Sequence, residues 1–144
     1  MTNIEILRST SADNSTAESI QLLLSQLSSK DVIFTEQDLA ALLNDPASVL
    51  FLLYADNKIV GMLTLCTYLS PIGRKAWIED VVVDSALRGK GYGKMLVEHA
   101  IGYARTLSPC TLMLTSRASR IAANELYRAS GFEPKITNVY KMSL

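Results

Sequence analysis

The run from Trp77 to Lys94, WIEDVVVDSALRGKGYGK, admits few folds. It opens on two acids, Glu79 and Asp80, and continues through Val81, Val82 and Val83, which read as a buried strand. A link from Asp84 to Leu87 leads into Arg88-Gly89-Lys90-Gly91-Tyr92-Gly93-Lys94. Three glycines at alternate positions, three cations and Tyr92 make up those seven residues, with no acid among them. Glycine lets backbone N–H groups approach a ligand without a Cβ in the way. A loop that opens a helix aims those groups, and the positive end of the helix dipole, at an anion. The stretch therefore reads as strand, phosphate cradle and helix.

Composition narrows the partners. A chain of 144 residues, 49% apolar, suits one folded domain over residues 1–144 and argues against disorder. Formal net charge is zero, so there is no global basic field and nucleic acid is not indicated. The basic cluster at 88–94 is local and suits a small anion. Cys66 and Cys110 lie far apart and read as thiols in a reducing compartment. The N-terminus, MTNIEILRSTSADN, has no signal-peptide pattern. No apolar run approaches the roughly 20 residues of a membrane span. A cytoplasmic protein without a membrane partner is the expectation. No ligand cluster indicates a metal.

Periodicity predicts strands over Asn3–Arg8, Ser48–Tyr54 and Ile59–Tyr68, the last two joined as a hairpin through Asp56-Asn57-Lys58. Ile20, Leu23, Leu24 and Leu27 predict a helix ending near Ser29, and Thr35 caps a second, shorter one. Pro71, Gly73, Arg74 and Lys75 read as loop ahead of the valine strand. Helices follow over Gly93–Leu107 and Ser119–Ser130, with a strand at Thr111–Thr115 between them. Gly131 is expected as a left-handed cap. Two last strands are expected from Phe132 onward and over Thr137–Met142. The order predicts a mixed α/β (α+β type) domain with a partly parallel centre.

Three glycine-loop types compete. A Walker A loop fails twice: its first glycine position is Arg88, and Met95 replaces the metal-binding hydroxyl. A Rossmann fingerprint is weak, because its third glycine position is Lys94 and no acid follows the next strand. The third pattern is Arg-x-x-Gly-x-Gly, formed by Arg88, Gly91 and Gly93. A second signature lies downstream, Ala123-Asn124-Glu125-Leu126-Tyr127-Arg128-Ala129-Ser130-Gly131-Phe132. Together these resemble the GNAT superfamily of acetyl-CoA-dependent N-acetyltransferases over nearly the whole chain. The resemblance implies a mixed, centrally parallel sheet of about six to seven strands, flanked by about four helices and splayed between the fourth and fifth strands.

The resemblance also implies roles. The cofactor is acetyl-CoA. Its pyrophosphate falls to backbone N–H groups of the loop from Arg88 and Gly89 through Lys90, Gly91, Tyr92 and Gly93 to Lys94, with charge from Arg88, Lys90 and Lys94. Its pantetheine arm runs along the backbone of Val81, Val82 and Val83 like an added strand. Tyr127 protonates the leaving thiolate, against the plainer reading of a packing tyrosine. Asn124 contacts the arm or orders its helix. Where the family often has Asn, this chain has Arg120, which weakens the case for an Asn contact there and leaves an arginine that could still reach a phosphate.

Glu79 and Asp80 are adjacent and so face opposite sides of a regular strand. Glu79 is the preferred base, directly or through water, and Asp80 the weaker candidate. Merely solvated acids at a strand end are the competing reading for both. His99 reads as a surface residue, and Cys110 without a nearby histidine argues against an acyl-cysteine route. The acceptor is expected to be a small-molecule amine, with a protein amine left open; it is shaped by the first two helices and the 69–75 loop. A homodimer is a family-level expectation only. A non-catalytic acyl-CoA-binding or regulatory domain is the alternative.

Overall fold

A computed structural model describes residues 1–28 and 30–144. The elements run β1 (Ile4–Arg8), α1 (Asn14–Leu27), α2 (Glu36–Asn44), β2 (Ser48–Ala55), β3 (Lys58–Ser70), β4 (Gly73–Val83), a short 3-10 turn (Ser85–Leu87), α3 (Tyr92–Arg105), β5 (Cys110–Met113) and α4 (Ile121–Ala129). Asp13 caps α1 by accepting from Thr16 N–H at 2.7 Å. The helix expected to end near Ser29 ends at Leu27; Ser29 itself lies outside the described residues. Thr35 caps α2 in a reciprocal box with Asp38.

One sheet has the order β1-β2-β3-β4-β5. Its first four strands are antiparallel and only β4–β5 is parallel, so the parallel part is a single pair at one side rather than the centre. The β2–β3 hairpin turns at Asp56 and Asn57, whose φ of 48° and 65° suit a two-residue hairpin loop. β2 is buried on both faces. Val49, Phe51 and Leu53 join one core cluster with α3, and Leu50 and Leu52 join another with α1 and α2. The sheet is thus sandwiched, α1 and α2 on one face, α3 and α4 on the other.

Two expectations need correction. Arg74 and Lys75 are not loop: β4 begins at Gly73, because the β3–β4 hairpin turns tightly at Pro71-Ile72. The sheet has five strands among the described residues, not six to seven. Residues 133–144 lie outside helix and strand and are exposed, Ile136, Val139, Tyr140 and Met142 among them. Their apolar residues have no pleated neighbour to pack on, and alternation alone does not make a ladder.

Candidate active site

The site is organised by an irregularity in β4. Thr64 of β3 pairs with Glu79, but Met62 pairs with Val82. Asp80 and Val81 therefore stand opposite Leu63 alone, a β-bulge. Asp80 takes φ 51°, a left-handed conformation that aspartate tolerates better than most residues. The extra residue reverses the strand's parity. Ala76 and Ile78 pack into the α3-side core, whereas Val82, of the same parity, packs into the α1–α2 core. Val81 and Val83 turn instead toward α3. The valine run is core, as its composition indicates, but its two faces are exchanged relative to a regular strand.

The exchange of faces comes after Glu79, where Asp80 and Val81 together oppose Leu63, and both acids are exposed. Glu79, paired with buried Thr64, has the register of the α1–α2 face. Partial burial, with the adjacent Asp80 charge as a second cause, pushes the Glu79 carboxyl above its ordinary value.

On its other side, β4 pairs with β5 only from Arg74–Cys110 to Trp77–Met113. Downstream of Trp77 no β5 partner continues the ladder. That half of β4 leads through Asp84 and the 3-10 turn into the glycine loop. Ser85 N–H donates to Gln26 of α1 at 2.8 Å, which ties the link to the opposite helix layer. Gly89 and Gly91 both take φ 82°, and a Cβ built on either meets nothing within 4 Å. Gly91 is the N-cap of α3, and no side chain caps that helix. The first-turn N–H groups of Tyr92, Gly93 and Lys94 precede the first helical bond, Met95 N–H to Gly91 O. Arg88, Lys90 and Lys94 are exposed, and Lys94 lies 3.7 Å from Glu98. Tyr92 contributes its backbone only: its side chain is buried in the α3-side core.

α4 brings the second signature to the first. A Cβ at Gly93 would sit 3.6 Å from Leu126, so the start of α3 lies against α4. Leu126 and Tyr127 pack on the same cluster as Val81 and Val83. Ser119 and Ala122 are exposed; Ala123, Asn124, Leu126 and Tyr127 form the inward face. The Tyr127 ring meets Phe132 edge-on at 6.1 Å. Burial raises the Tyr127 phenol pKa above its ordinary value, while Arg120 pulls it partly back. Asn124 donates to Arg117 O at 2.9 Å, tying α4 to the loop before it.

Other candidates fall elsewhere. His99 is exposed and sets its ring edge-on to Phe51 at 4.7 Å. Cys66 and Cys110 are half-buried free thiols. Cys110 pairs with Arg74, six residues up β4 from Asp80, or about 20 Å. Among the described residues no group of His, Cys, Asp or Glu is arranged to hold a metal ion, and no helix is long and apolar enough to cross a membrane. Sequence reasoning passed over Ser116, a buried hydroxyl just past β5. A serine after TLMLT reads as no more than a strand end.

The model of the acetyltransferase (GNAT) family matches residues 18–132. The chain belongs to the GNAT acetyltransferase family. It is 31% identical over 115 residues to the Bacillus subtilis (strain 168) protein named "Uncharacterized N-acetyltransferase YhdJ", a match covering 77% of this chain and 79% of that one. Over 58 residues it is 40% identical to a ribosomal protein bS18-alanine N-acetyltransferase of Salmonella typhimurium (strain LT2), covering 40% of this chain and 39% of that one. The fold matches that of an aminoglycoside acetyltransferase, meta-AAC0020, from an uncultured soil metagenomic sample. The TM-score is 0.83 at 22% identity, over 98% of this chain and 97% of that one. This GNAT enzyme thus shares its scaffold with N-acetyltransferases named for different acceptors.

Proposed function

We propose that this chain, as one domain over residues 1–144, transfers the acetyl group of acetyl-CoA to an amine by direct attack in a ternary complex. The observation that carries the reading is the early end of β4–β5 pairing at Trp77–Met113. It leaves the backbone beyond, on the side of Val81 and Val83, beside an uncapped helix start and a half-buried tyrosine. We read that parting as the family's splay between the fourth and fifth strands.

The residues fit the donor. Open left-handed glycines and the free N–H groups of α3 suit a pyrophosphate, with Arg88, Lys90 and Lys94 at its rim. The strand edge at Val81–Val83 suits an amide-bearing arm. Acetyl-CoA supplies the acetyl group as a thioester. Glu79, on the α1–α2 face, takes a proton from the acceptor ammonium, directly or through water, which frees the nitrogen lone pair. Val81 N–H polarises the thioester carbonyl as the new C–N bond forms and the C–S bond breaks. Tyr127, from the α3–α4 face, gives its proton to the departing sulfur, and the second proton shed by the nitrogen as the amide forms restores the phenol. Base and acid thus lie on opposite sides of β4. Glu79's raised pKa makes it a better base than an ordinary carboxylate, and Tyr127's keeps its phenol protonated near neutral pH. The distance of Cys110 from the bulge supports direct transfer over an acyl-cysteine.

A small-molecule amine is the favoured acceptor. Calorimetry with acetyl-CoA, then thiol release over aminoglycosides, amino sugars and an alanine-terminated peptide, tests the proposal. No binding at millimolar acetyl-CoA overturns it. Binding without turnover on any amine favours the non-catalytic alternative.

A further inference from the structure

Among the described residues, two buried side-chain oxygens have no hydrogen-bond partner, Ser116 Oγ and Ser130 Oγ. Buried hydroxyls are nearly always partnered, so each needs a reason. Ser130 has a local one. It is the C-cap of α4, its N–H already meets the Leu126 and Tyr127 carbonyls, and a rotation about its Cβ offers the hydroxyl the same acceptors. Ser116 has no such helix end.

Its position is set by register and parity. The last β4–β5 pair is Trp77–Met113. Counting three residues along each strand brings Ser116 level with Asp80, about 10 Å beyond that pair. The bulge lies there, with Val81 next to it. Along the segment, Leu112 and Leu114 pack on the α3-side core while Thr111 and Thr115 are exposed. Ser116 continues the inward parity, on the face that Val81, Val83 and Tyr127 share. The next residue is fixed from both sides, since Arg117 O accepts from Asn124 Nδ2 and from Arg120 N–H. Ser116 is therefore held against α4 and is not a loose loop residue.

We propose that Ser116 Oγ–H is a second donor to the acyl carbonyl oxygen, acting with Val81 N–H where β5 leaves β4. This rests on the acetyl-donor reading above. Negative charge develops on that oxygen as the amine attacks, and a preorganised donor strengthens its hold as the charge grows. Tyr127 is committed to the sulfur. The hydroxyl has no protein partner to surrender, and because it is closed to solvent in the free protein the bound arm must open the end of the β4–β5 seam to meet it.

The test compares wild type with Ser116→Ala and Ser116→Thr. Isotope-edited infrared spectroscopy of bound carbonyl-labelled acetyl-CoA reads the hydrogen bond directly. Wild type and Ser116→Thr are expected to lower the carbonyl stretch relative to free acetyl-CoA, and Ser116→Ala to move it back toward the free value. Turnover of Ser116→Ala should fall about 10²-fold, with CoA affinity changed less than twofold and Tm equal or higher, since no protein partner is lost. An identical stretch in wild type and Ser116→Ala overturns the assignment, as does a Tm drop of several degrees, which would reveal a structural partner. A wild type that turns over amine with no Ser116 effect defeats this inference alone. One that binds no acetyl-CoA defeats the donor reading, and the Ser116 assignment falls with it.

Discussion

The two halves of β4 obey different rules. From Gly73 to Ile78 the strand runs regularly beside β3, and Arg74–Trp77 has β5 on its other side as well. Its Ala76 and Ile78 are sealed in the core. From Glu79 to Val83 it has β3 alone, bulges at Asp80, and leaves its acids in solvent. A fully paired strand satisfies its own backbone and offers nothing to a ligand. The half that lacks a neighbour retains hydrogen-bonding capacity, and the bulge turns Val81 and Val83 toward the tyrosine helix. The difference teaches that a sealed ladder and an open backbone edge are divided along one strand, with the bulge as the border, and the proposed chemistry falls on the open side.

The contrast can be broken from the chemical side first. Tyr127→Phe should lower kcat by about 10²–10⁴-fold while acetyl-CoA affinity by calorimetry stays nearly constant; equal loss of both would remove the acid role. On the structural side, Leu65 lies fully buried opposite Ile78. Leu65→Ala should cost about 2–5 kcal/mol in denaturant unfolding, with activity per folded molecule largely kept.

At the border, Asp80→Val forces a β-branched residue into φ 51° and should cost about 1–3 kcal/mol. Asp80→Gly should cost far less. If both substitutions are equally neutral in unfolding experiments, the bulge is not what holds the two halves apart.

The smallest expected effect is a pH dependence at Glu79. Its folded pKa is raised, so its favourable contribution to stability is fully present below the ordinary carboxylate value. That contribution is lost as pH rises through the raised folded value. Glu79→Gln should therefore raise Tm slightly near neutral pH. The same substitution should abolish the acid limb of the kcat/KM profile, which in wild type lies above the ordinary glutamate value. A limb that survives in Glu79→Gln would assign the base elsewhere, with Asp80 next in line.

Much of the frame was legible because it depends on short-range chemistry. Thr35 supplies a side-chain acceptor to its own helix start. Asp56-Asn57 tolerates the left-handed turn, and Gly89 and Gly91 take the positive φ that glycine permits. The apolar run of β2 announces a strand buried on both sides. The glycine loop and the Ala123–Phe132 signature together were enough to indicate the family.

Non-local pairing decided the rest. Nothing in Glu79-Asp80-Val81 marks an extra residue, since the bulge exists only relative to Leu63 across the ladder. The valine run thus reads as one regular strand, although its faces are exchanged at the bulge. Arg74 and Lys75 look like loop until β3 and β5 take them in. The alternation in 137–142 looks like strand but has no ladder to join. Ser116 is an ordinary serine in the chain, and only the folded structure makes its hydroxyl buried and unpartnered, level with the bulge by register. Local propensity determined where this protein turns and caps. Which backbone groups remain free for a ligand depended on which strands find neighbours, a property of distant residues that no window of the sequence contains.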